Sequence, residues 1–321
     1  MRKTLLFATG ALGAALSLQA AAQPFPTKPL RVIVPYPAGG IVDLMARSPS
    51  DGLAAKLGQP VIVEARPGAN SGIGTEVVAK ADADGHTLLM GTLALVVNPH
   101  LNPVPWHPVD DFTAVAHMGI VANIAAAPSS LGVKDLKSFI ALARSKPGEI
   151  NYINPGNGSS PHVSTELLQQ LNGVNLTSVN YKGIPPAIPD FLAGTVHFGF
   201  LTAPTVGPHI RSGKAQALAI ASPVRHKDFP DVPTMTEQGF ESSQVNSWYV
   251  FLVPKKTPGA AVSKLNKELN AVLAEAETVA RVEKLGGTVI AGWTVEQTNK
   301  MIADEYVRWG EVTRKAGIAT K

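Results

Sequence analysis

Two kinds of apolar periodicity alternate along the chain. Runs such as LRVIVP (30–35) and VIVEAR (61–66) are short and rich in β-branched residues, which is typical of buried strands. Between them, Leu44, Met45 and Leu53 recur at helical spacing. This alternation predicts an α/β fold in which helices cover both faces of a parallel or mixed sheet.

The same criteria divide the rest of the chain. We expect strands at 30–35, 61–66, 86–92, 112–128, 149–153, 175–181, 195–201, 215–220, 245–254 and 288–291. We expect helices at 41–57, 73–80, 135–146, 161–172, 186–193, 205–212, 258–274, 276–285 and 295–316. The stretch 98–111 contains four prolines, and we expect no regular element there because proline lacks an amide donor.

The two longest predicted strands, 112–128 and 245–254, bracket a central unit. The chain is therefore expected to cross from one lobe to another and to return, which makes a hinge with a cleft between the lobes. The predicted lobe 1 comprises residues 23–118 and 249–321, and the predicted lobe 2 comprises residues 119–248.

The first residues predict export. Arg2 and Lys3 precede an apolar stretch, Leu5 to Leu18, and Ala20 to Ala22 supply the small residues that signal peptidase requires. The apolar stretch is shorter than the roughly 20 residues that span a bilayer. We predict a signal peptide at 1–22, cleaved after Ala22, and a soluble periplasmic protein; a buried N-terminal core helix is the alternative.

The composition argues against disulfide bonds and against a nucleic-acid partner. The chain has no cysteine, so its stability must come from its core and not from disulfides. The formal net charge of +4 falls to +2 without Arg2 and Lys3, and the remaining charges are scattered. This pattern argues against nucleic acid as a partner.

Two catalytic or cofactor-binding motifs are excluded because their residues do not have the required spacing. In GANSG (68–72), Ser71 lies one place too late for a hydrolase nucleophile elbow. In NPGNGSSPH (154–162), Pro161 stands where a dinucleotide loop needs its third glycine. We expect no catalytic residue and no cofactor.

A metal site is the weaker of two interpretations of the proline-rich stretch. His100, His107, Asp110 and Asp111 are close in sequence and could converge on a metal ion. A solvated connecting loop is the alternative that we favour, so we predict no metal.

Three glycine-containing loops each follow a predicted strand and precede a helix: YPAGG (36–40), RPGANSG (66–72) and NPGNGSSP (154–161). In the third loop, Ser160 is the predicted N-cap, with Pro161 at the first helical position. Such loops present backbone amides to an anion, although each alone could be a well-capped turn. Three of them across two lobes favour binding.

These loops and two further segments resemble a known family. YPAGGIVDLMAR (36–47), RPGANSGIG (66–74), NPGNGSSPH (154–162), VNYKGIPPAIPDFLAG (179–194) and DVPTMTEQG (231–239) together are similar to the Bug-type extracytoplasmic solute-binding receptors of tripartite tricarboxylate transporters. The resemblance covers essentially the whole mature chain in the right order, through AGI at 316–318.

The resemblance implies a two-lobed periplasmic binding protein of type II, a Venus flytrap with two crossover strands at the hinge. It implies a small organic acid or an amino-acid-like ligand. It also implies delivery of that ligand to a membrane permease of one large and one small integral subunit, by a receptor that we expect to be a monomer.

The resemblance further implies ligand-binding positions in both lobes. In lobe 1 they are Tyr36, Ala38, Gly39, Gly40, Asp43, Ala69, Asn70, Ser71 and Thr92, where Asp43 stabilises the helix start or orders a water. In lobe 2 they are Asn157, Gly158, Ser159, Ser160, Tyr181, Lys182 and Gly183. For His162 we favour a buried, hydrogen-bonded role over direct contact.

Departures from the family pattern bear on the ligand. Ile41 and Val42 make the first loop more apolar than usual, His197 replaces an acidic or amide residue, and Leu201 replaces a polar one. A carboxylate with an apolar body fits these changes better than a small, highly charged ligand.

Two other functions stay open at this point. An enzyme on the same bilobal fold would need a nucleophile or an acid–base pair in the cleft, and we recognise neither in the sequence. A receptor for a sensor kinase would share every site residue with a transport receptor, so the sequence does not separate these two.

Overall fold

A computed structural model describes residues 25–222, 224–240, 243, 245 and 247–315. The predicted signal peptide and the AGI segment lie outside these residues. The strands are β1 (Leu30–Val34), β2 (Val61–Ala65), β3 (Thr87–Thr92), β4 (Phe112–Val121), β5 (Asn123–Pro128), β6 (Asn151–Asn154), β7 (Thr177–Asn180), β8 (Gly199–Thr202), β9 (Ala215–Ala221), β10 (Ser247–Pro254) and β11 (Gly287–Val289).

The helices occupy most of the positions that the periodicity predicts. They are α1 (Ile41–Arg47), α2 (Ser50–Leu57), α3 (Gly72–Ala79), α4 (Ala94–Leu101), α5 (Leu136–Ser145), α6 (Ser160–Asn172), α7 (Ile188–Ala193), α8 (Ala203–Arg211), α9 (Gly259–Leu273), α10 (Ala276–Lys284) and α11 (Val295–Lys315). Two short 3-10 helices lie at Ser129–Leu131 and Pro185–Ala187.

The strands form separate sheets in two lobes. The first sheet has six strands in the order β11-β4-β10-β3-β1-β2, with β1 parallel to β2 and β3. The second lobe contains an antiparallel sheet, β8-β5-β9, and a parallel pair, β6-β7. Strand β1 reads LRVIV and is buried at four of its five positions, as a strand covered on both faces requires.

The first crossover differs from the single long strand predicted at 112–128. Strand β4 ends at Val121 in the first sheet, and β5 begins at Asn123 in the second lobe, so Ala122 joins the two. The prediction was wrong because both strands are apolar and no glycine or proline separates them. The returning strand β10 pairs with β4 in the register Ser247↔Val121, so both crossovers lie side by side.

Two further predictions were wrong in detail. The helix expected at 41–57 is two helices, α1 and α2, which are separated at Ser48 and Pro49. Part of the stretch expected to be irregular belongs to α4, which contains Pro99 in its last turn. Burial of the apolar residues that precede this proline stabilises the helix despite the missing amide.

Helix α6 belongs to the second lobe but packs against the first. Its residues Val163 and Leu167 share one apolar cluster with Leu93 and Val97 of the first lobe and with Trp309 of α11. The start of α6 is therefore held by both lobes. In the described part of the chain, no helix is long and apolar enough to cross a membrane.

Candidate functional site

A cleft of about 340 Å³ lies between the lobes, beside the two crossovers. Nine of the residues predicted from the resemblance line it: Tyr36, Ala38, Gly39, Gly40, Thr92, Ser159, Ser160, Lys182 and Gly183. The other seven do not line it: Asp43, Ala69, Asn70, Ser71, Asn157, Gly158 and Tyr181.

The first glycine loop forms part of the lobe 1 wall. The Tyr36 hydroxyl lies 3.3 Å from Thr92 Oγ1, and burial raises the pKa of Tyr36, so this phenol stays neutral. Gly39 adopts φ +78°, a left-handed conformation that glycine adopts without strain. The amide of Gly39 donates to Asp43 Oδ2 at 3.0 Å and so points away from the cleft.

Asp43 supports this loop from behind. Its buried carboxylate accepts from Gly39 N and from Arg47 Nε, both at 3.0 Å. Burial opposes ionisation, but the hydrogen bonds from Arg47 and Gly39 outweigh it and hold the pKa of Asp43 below its ordinary value. The geometry therefore gives Asp43 a positioning role in the loop.

The second glycine loop is strained and lies behind the cleft wall. Ala69, Asn70 and Ser71 have positive φ values of 45°, 52° and 75°, which are uncommon for residues other than glycine. The side-chain amide of Asn98, on α4, donates to the Asn70 carbonyl and to Ser71 Oγ, the latter at 3.4 Å. This loop contacts α4, and none of the three residues lines the cavity.

In the third loop, Ser159 is the N-cap of α6, not Ser160. The Ser159 hydroxyl accepts from His162 N at 3.5 Å, and Ser160 is the first residue of the helix. The sequence prediction was off by one residue because two serines are adjacent and either could cap. Both serines face the cleft, whereas Asn157 is bound to Asn154 at 2.7 Å behind it.

His162 holds this loop in place. Its Nδ1 accepts from Gly158 N at 3.1 Å, and burial lowers the pKa of the imidazole. This contact agrees with the buried, hydrogen-bonded role expected from the sequence. Its neutral ring is the form that can accept from the loop amide.

The segment 181–183 contributes one charge to the rim. The Tyr181 hydroxyl donates to Asp190 Oδ2 at 2.7 Å, and burial together with this bond raises the pKa of Tyr181 to about 12. This phenol is therefore occupied away from the cavity. Lys182 is exposed and lines the cleft, and no carboxylate of the described residues lies within 4 Å of its ammonium group.

Sequence reasoning missed a hydrogen-bonded group at the floor of the cleft. The Asn123 side chain donates to Ser247 Oγ at 3.0 Å and to Ser160 Oγ at 3.4 Å, and the two hydroxyls also bond to each other. We call Asn123, Ser160 and Ser247 the hinge cluster. It links Asn123, the first residue of β5, and Ser247, the first residue of β10, to the start of α6.

A second helix of lobe 2 also begins at the cleft. Thr202 is the N-cap of α8, and its Oγ1 lies 2.9 Å from Thr205 Oγ1. Both threonines line the cavity, so α6 and α8 direct their amino ends and four hydroxyls toward the same space. This wall offers donors to an anion.

The proline-rich stretch forms no metal-binding cluster in the described residues. His100 Nε2 lies 2.9 Å from the Tyr306 carbonyl, and its ring stacks on Tyr306. His107 Nδ1 lies 2.9 Å from Asp110, whereas Asp111 accepts from the His107 amide at 2.7 Å. These contacts tie His100, in α4, to α11 and tie His107 to Asp110 and Asp111.

Replacing Gly158 by alanine should destabilise the protein through a contact between the lobes. Gly158 has φ +74°, and an added Cβ would lie 2.5 Å from Asn98 Oδ1, across the interface between the third loop and α4. We expect the free energy of unfolding to fall by about 2–3 kcal/mol, of which about 1 kcal/mol comes from the left-handed backbone. Urea denaturation measures this loss.

Gly173→Ala is the matched control. Gly173 ends α6 with φ +60°, and no atom lies within 4 Å of a Cβ placed there. It should lose only the backbone contribution. Equal losses for the two variants would contradict the interlobe contact.

Comparison with known proteins extends over both lobes. A family model described as Tripartite tricarboxylate transporter family receptor matches residues 45–318. Protein BugT of Bordetella pertussis (strain Tohama I) is 36% identical over 320 residues, which covers 99% of this chain and 97% of that protein.

Solved structures agree with this match. The periplasmic binding protein BugD has a TM-score of 0.85 at 31% identity, covering 92% of this chain and 100% of that chain. A protein of R. palustris solved with adipate has a TM-score of 0.85 at 30% identity, covering 92% and 99%. These similarities confirm the two-lobed periplasmic binding protein fold expected from the sequence.

Proposed function

Because this chain belongs to the family of tripartite tricarboxylate transporter receptors, we propose that it captures a small organic carboxylate in the cleft and delivers it to a transporter. One observation carries the proposal. The cleft lies at the hinge, and its lobe 2 wall combines the starts of α6 and α8 with Lys182, which are donors suited to a carboxylate.

The proposed contacts lie in both lobes. Tyr36, Ala38, Gly39, Gly40 and Thr92 form the lobe 1 side, and Ser159, Ser160, Lys182 and Gly183 form the lobe 2 side. Asp43, Ala69, Asn70, Ser71, Asn157, Gly158 and Tyr181 act from behind this surface, where hydrogen bonds position the loops. Ligand would shift the population toward a closed state by contacting both walls.

In this proposal the chain leaves lobe 1 after β4, at Ala122, and is back in lobe 1 from Ser247, where β10 begins. Sheet membership supports these points, because β4 and β10 belong to the first sheet and β5 to the second. The limits expected from the sequence, 23–118 with 249–321 for lobe 1 and 119–248 for lobe 2, stay a prediction.

Family membership implies a periplasmic location and a transporter as the partner. We propose that residues 1–22 are removed after Ala22 and that the receptor works as a monomer. Its permease would have one large and one small integral subunit. A binding role without catalysis is supported by the family, whose relatives are solute-binding proteins.

Thermal unfolding of the mature chain, residues 23–321, tests the proposal. A ligand that binds only the native state at 100 times its dissociation constant adds about 2.7 kcal/mol of stability. We expect at least one small carboxylate at millimolar concentration to raise the melting temperature by several degrees, whereas its neutral amide does not. If no carboxylate stabilises the protein, or if acid and amide do so equally, the proposal is wrong.

A further inference from the structure

Few charged side chains face the cleft. Among the described residues that line it, Lys182 is the one formally charged side chain, and no aspartate, glutamate, arginine or histidine is present. Burial raises the pKa of Tyr36 and of Tyr249, so both phenols are neutral. The cavity thus presents one positive charge and, in the described part of the chain, no negative charge.

The polar groups are concentrated on lobe 2. Ser159 and Ser160 lie at the start of α6, and Thr202 and Thr205 lie at the start of α8. Pro161 and Pro204 have no amide, and the His162 amide donates to Ser159, so the dipoles of both helices and the remaining first-turn amides add to the hydroxyls. Lys182 lies on the same side, and together these groups can satisfy one carboxylate.

The opposite side of the cleft is mainly apolar. Ile41 and Leu44 of α1 line it, together with Leu285, and Ile184 faces them from lobe 2. Leu44 has 39% of its surface exposed, so part of an apolar side chain faces the open cleft in the absence of ligand. Ligand atoms that cover it should be apolar, because burying apolar surface is favourable and burying an unpaired polar group is costly.

We infer that this receptor, if it binds a carboxylate as proposed above, selects a monocarboxylate with an apolar body and without an ammonium group. The carboxylate lies against the starts of α6 and α8, and the apolar body lies against Leu44, Ile41 and Ile184. This preference differs from that of the R. palustris relative, which was solved with the dicarboxylate adipate.

The lack of charged side chains near Ile41 and Leu44 explains why ligands with a second charged group bind less tightly. A second carboxylate on the far end of the ligand would meet Ile41 and Leu44. The hydroxyls of Tyr36 and Thr92 on the same side are bonded to each other, and no cationic side chain of lobe 1 lines the cleft among the described residues. An ammonium group there would meet no carboxylate, because Asp43 lies behind the loop and is bound to Arg47 and Gly39. Either group would be desolvated without a partner when the lobes close.

Four six-carbon ligands of the same chain length separate these effects by isothermal titration calorimetry of residues 23–321. Hexanoate has one carboxylate, adipate has a second one at the far end, 6-aminohexanoate has an ammonium group there, and hexanamide has no charge. We expect hexanoate to bind at least tenfold more tightly than each of the other three.

The outcomes distinguish this inference from the proposed function. Adipate or 6-aminohexanoate binding as tightly as hexanoate would overturn the inference and leave the carboxylate receptor in place. No binding by any of the four would also overturn the inference alone, whereas hexanamide binding as tightly as hexanoate would overturn the proposed function as well.

Leu44→Asn tests the apolar wall directly. We expect this change to weaken hexanoate binding about tenfold, because the alkyl chain loses its apolar contact. Leu171→Asn is the matched control, since Leu171 is 54% exposed on α6 and does not line the cleft. Unchanged hexanoate affinity in a folded Leu44→Asn protein would overturn the proposed placement of the ligand.

Discussion

Asn123→Asp should weaken carboxylate binding at least 100-fold while the protein stays folded. Asn123 is 1% exposed, lines the cleft and is bonded to Ser160 and Ser247. The replacement is nearly isosteric, and both serine hydroxyls can donate to the new carboxylate, so the fold should tolerate it. A bound carboxylate beside Ser160, however, would then face a negative charge.

The expected effect on affinity is large. Two like charges about 4 Å apart repel by about 4 kcal/mol at an effective dielectric constant of about 20. Each 1.4 kcal/mol corresponds to about a tenfold change in affinity. We expect at least a 100-fold loss for hexanoate or adipate, whichever binds the unmodified protein more tightly, in calorimetric titrations at pH 7.5.

Asn151→Asp supplies the matched control for this variant. Asn151 begins β6 in the same lobe, donates to the Thr195 carbonyl at 3.0 Å and does not line the cleft. Asn151→Asp adds the same single negative charge as Asn123→Asp, and it should leave the affinity for the same acid within about twofold. Similar losses in both variants would mean that the overall charge, and not the hinge cluster, governs binding.

Acid should destabilise the protein through His117. This residue of β4 is 3% exposed, and its ring packs against Trp293 with 4.9 Å between centroids. Its Nδ1 has no hydrogen-bond partner among the described residues. Burial lowers the pKa of His117 to about 4, because the protonated ring cannot be solvated there.

The sign of the pH dependence follows from this shift. The folded pKa of His117 lies below the ordinary value of about 6.5, so the unfolded chain binds more protons between these two pH values. The stability contributed by the neutral ring is fully present above about pH 6.5 and is lost as the pH falls toward 4. By pH 4.5 the loss should be about 2–3 kcal/mol.

His117→Phe isolates this contribution. Phenylalanine keeps a ring against Trp293 and removes the titration of His117. Urea denaturation at pH 7.5 measures the packing change alone, and denaturation at pH 4.5 adds the effect of protonation. The unmodified protein should lose about 2–3 kcal/mol more than the variant between these conditions; equal losses would show that His117 does not titrate as the structure implies.

Local patterns were sufficient to predict an α/β fold and to place the glycine loops after strands. Strand β1 and the loop at 36–40 follow from an apolar run and from glycines at a strand end, which are features of adjacent residues. The single strand predicted at 112–128 failed because burial makes β4 and β5 equally apolar. Only the pairing of β4 with β10, and of β5 with β8, divides them.

The floor of the cleft could not be found in the same way. Asn123 and Ser247 are 124 residues apart, and each is an ordinary polar residue beside an apolar strand. Their proximity is a consequence of the two crossovers lying side by side. Similarly, the loop containing Ala69 resembles an anion-binding loop in sequence, whereas its contact with Asn98 turns it toward α4.

A crystal structure of residues 23–321 grown with the tightest-binding acid tests the central claim most directly. We predict a carboxylate in the cleft, with its oxygens within hydrogen-bond distance of Ser160 and of Thr202 or Thr205, and with its carbon chain against Leu44. A ligand bound outside the cleft, or one whose carboxylate makes no contact with the starts of α6 and α8, would contradict the account.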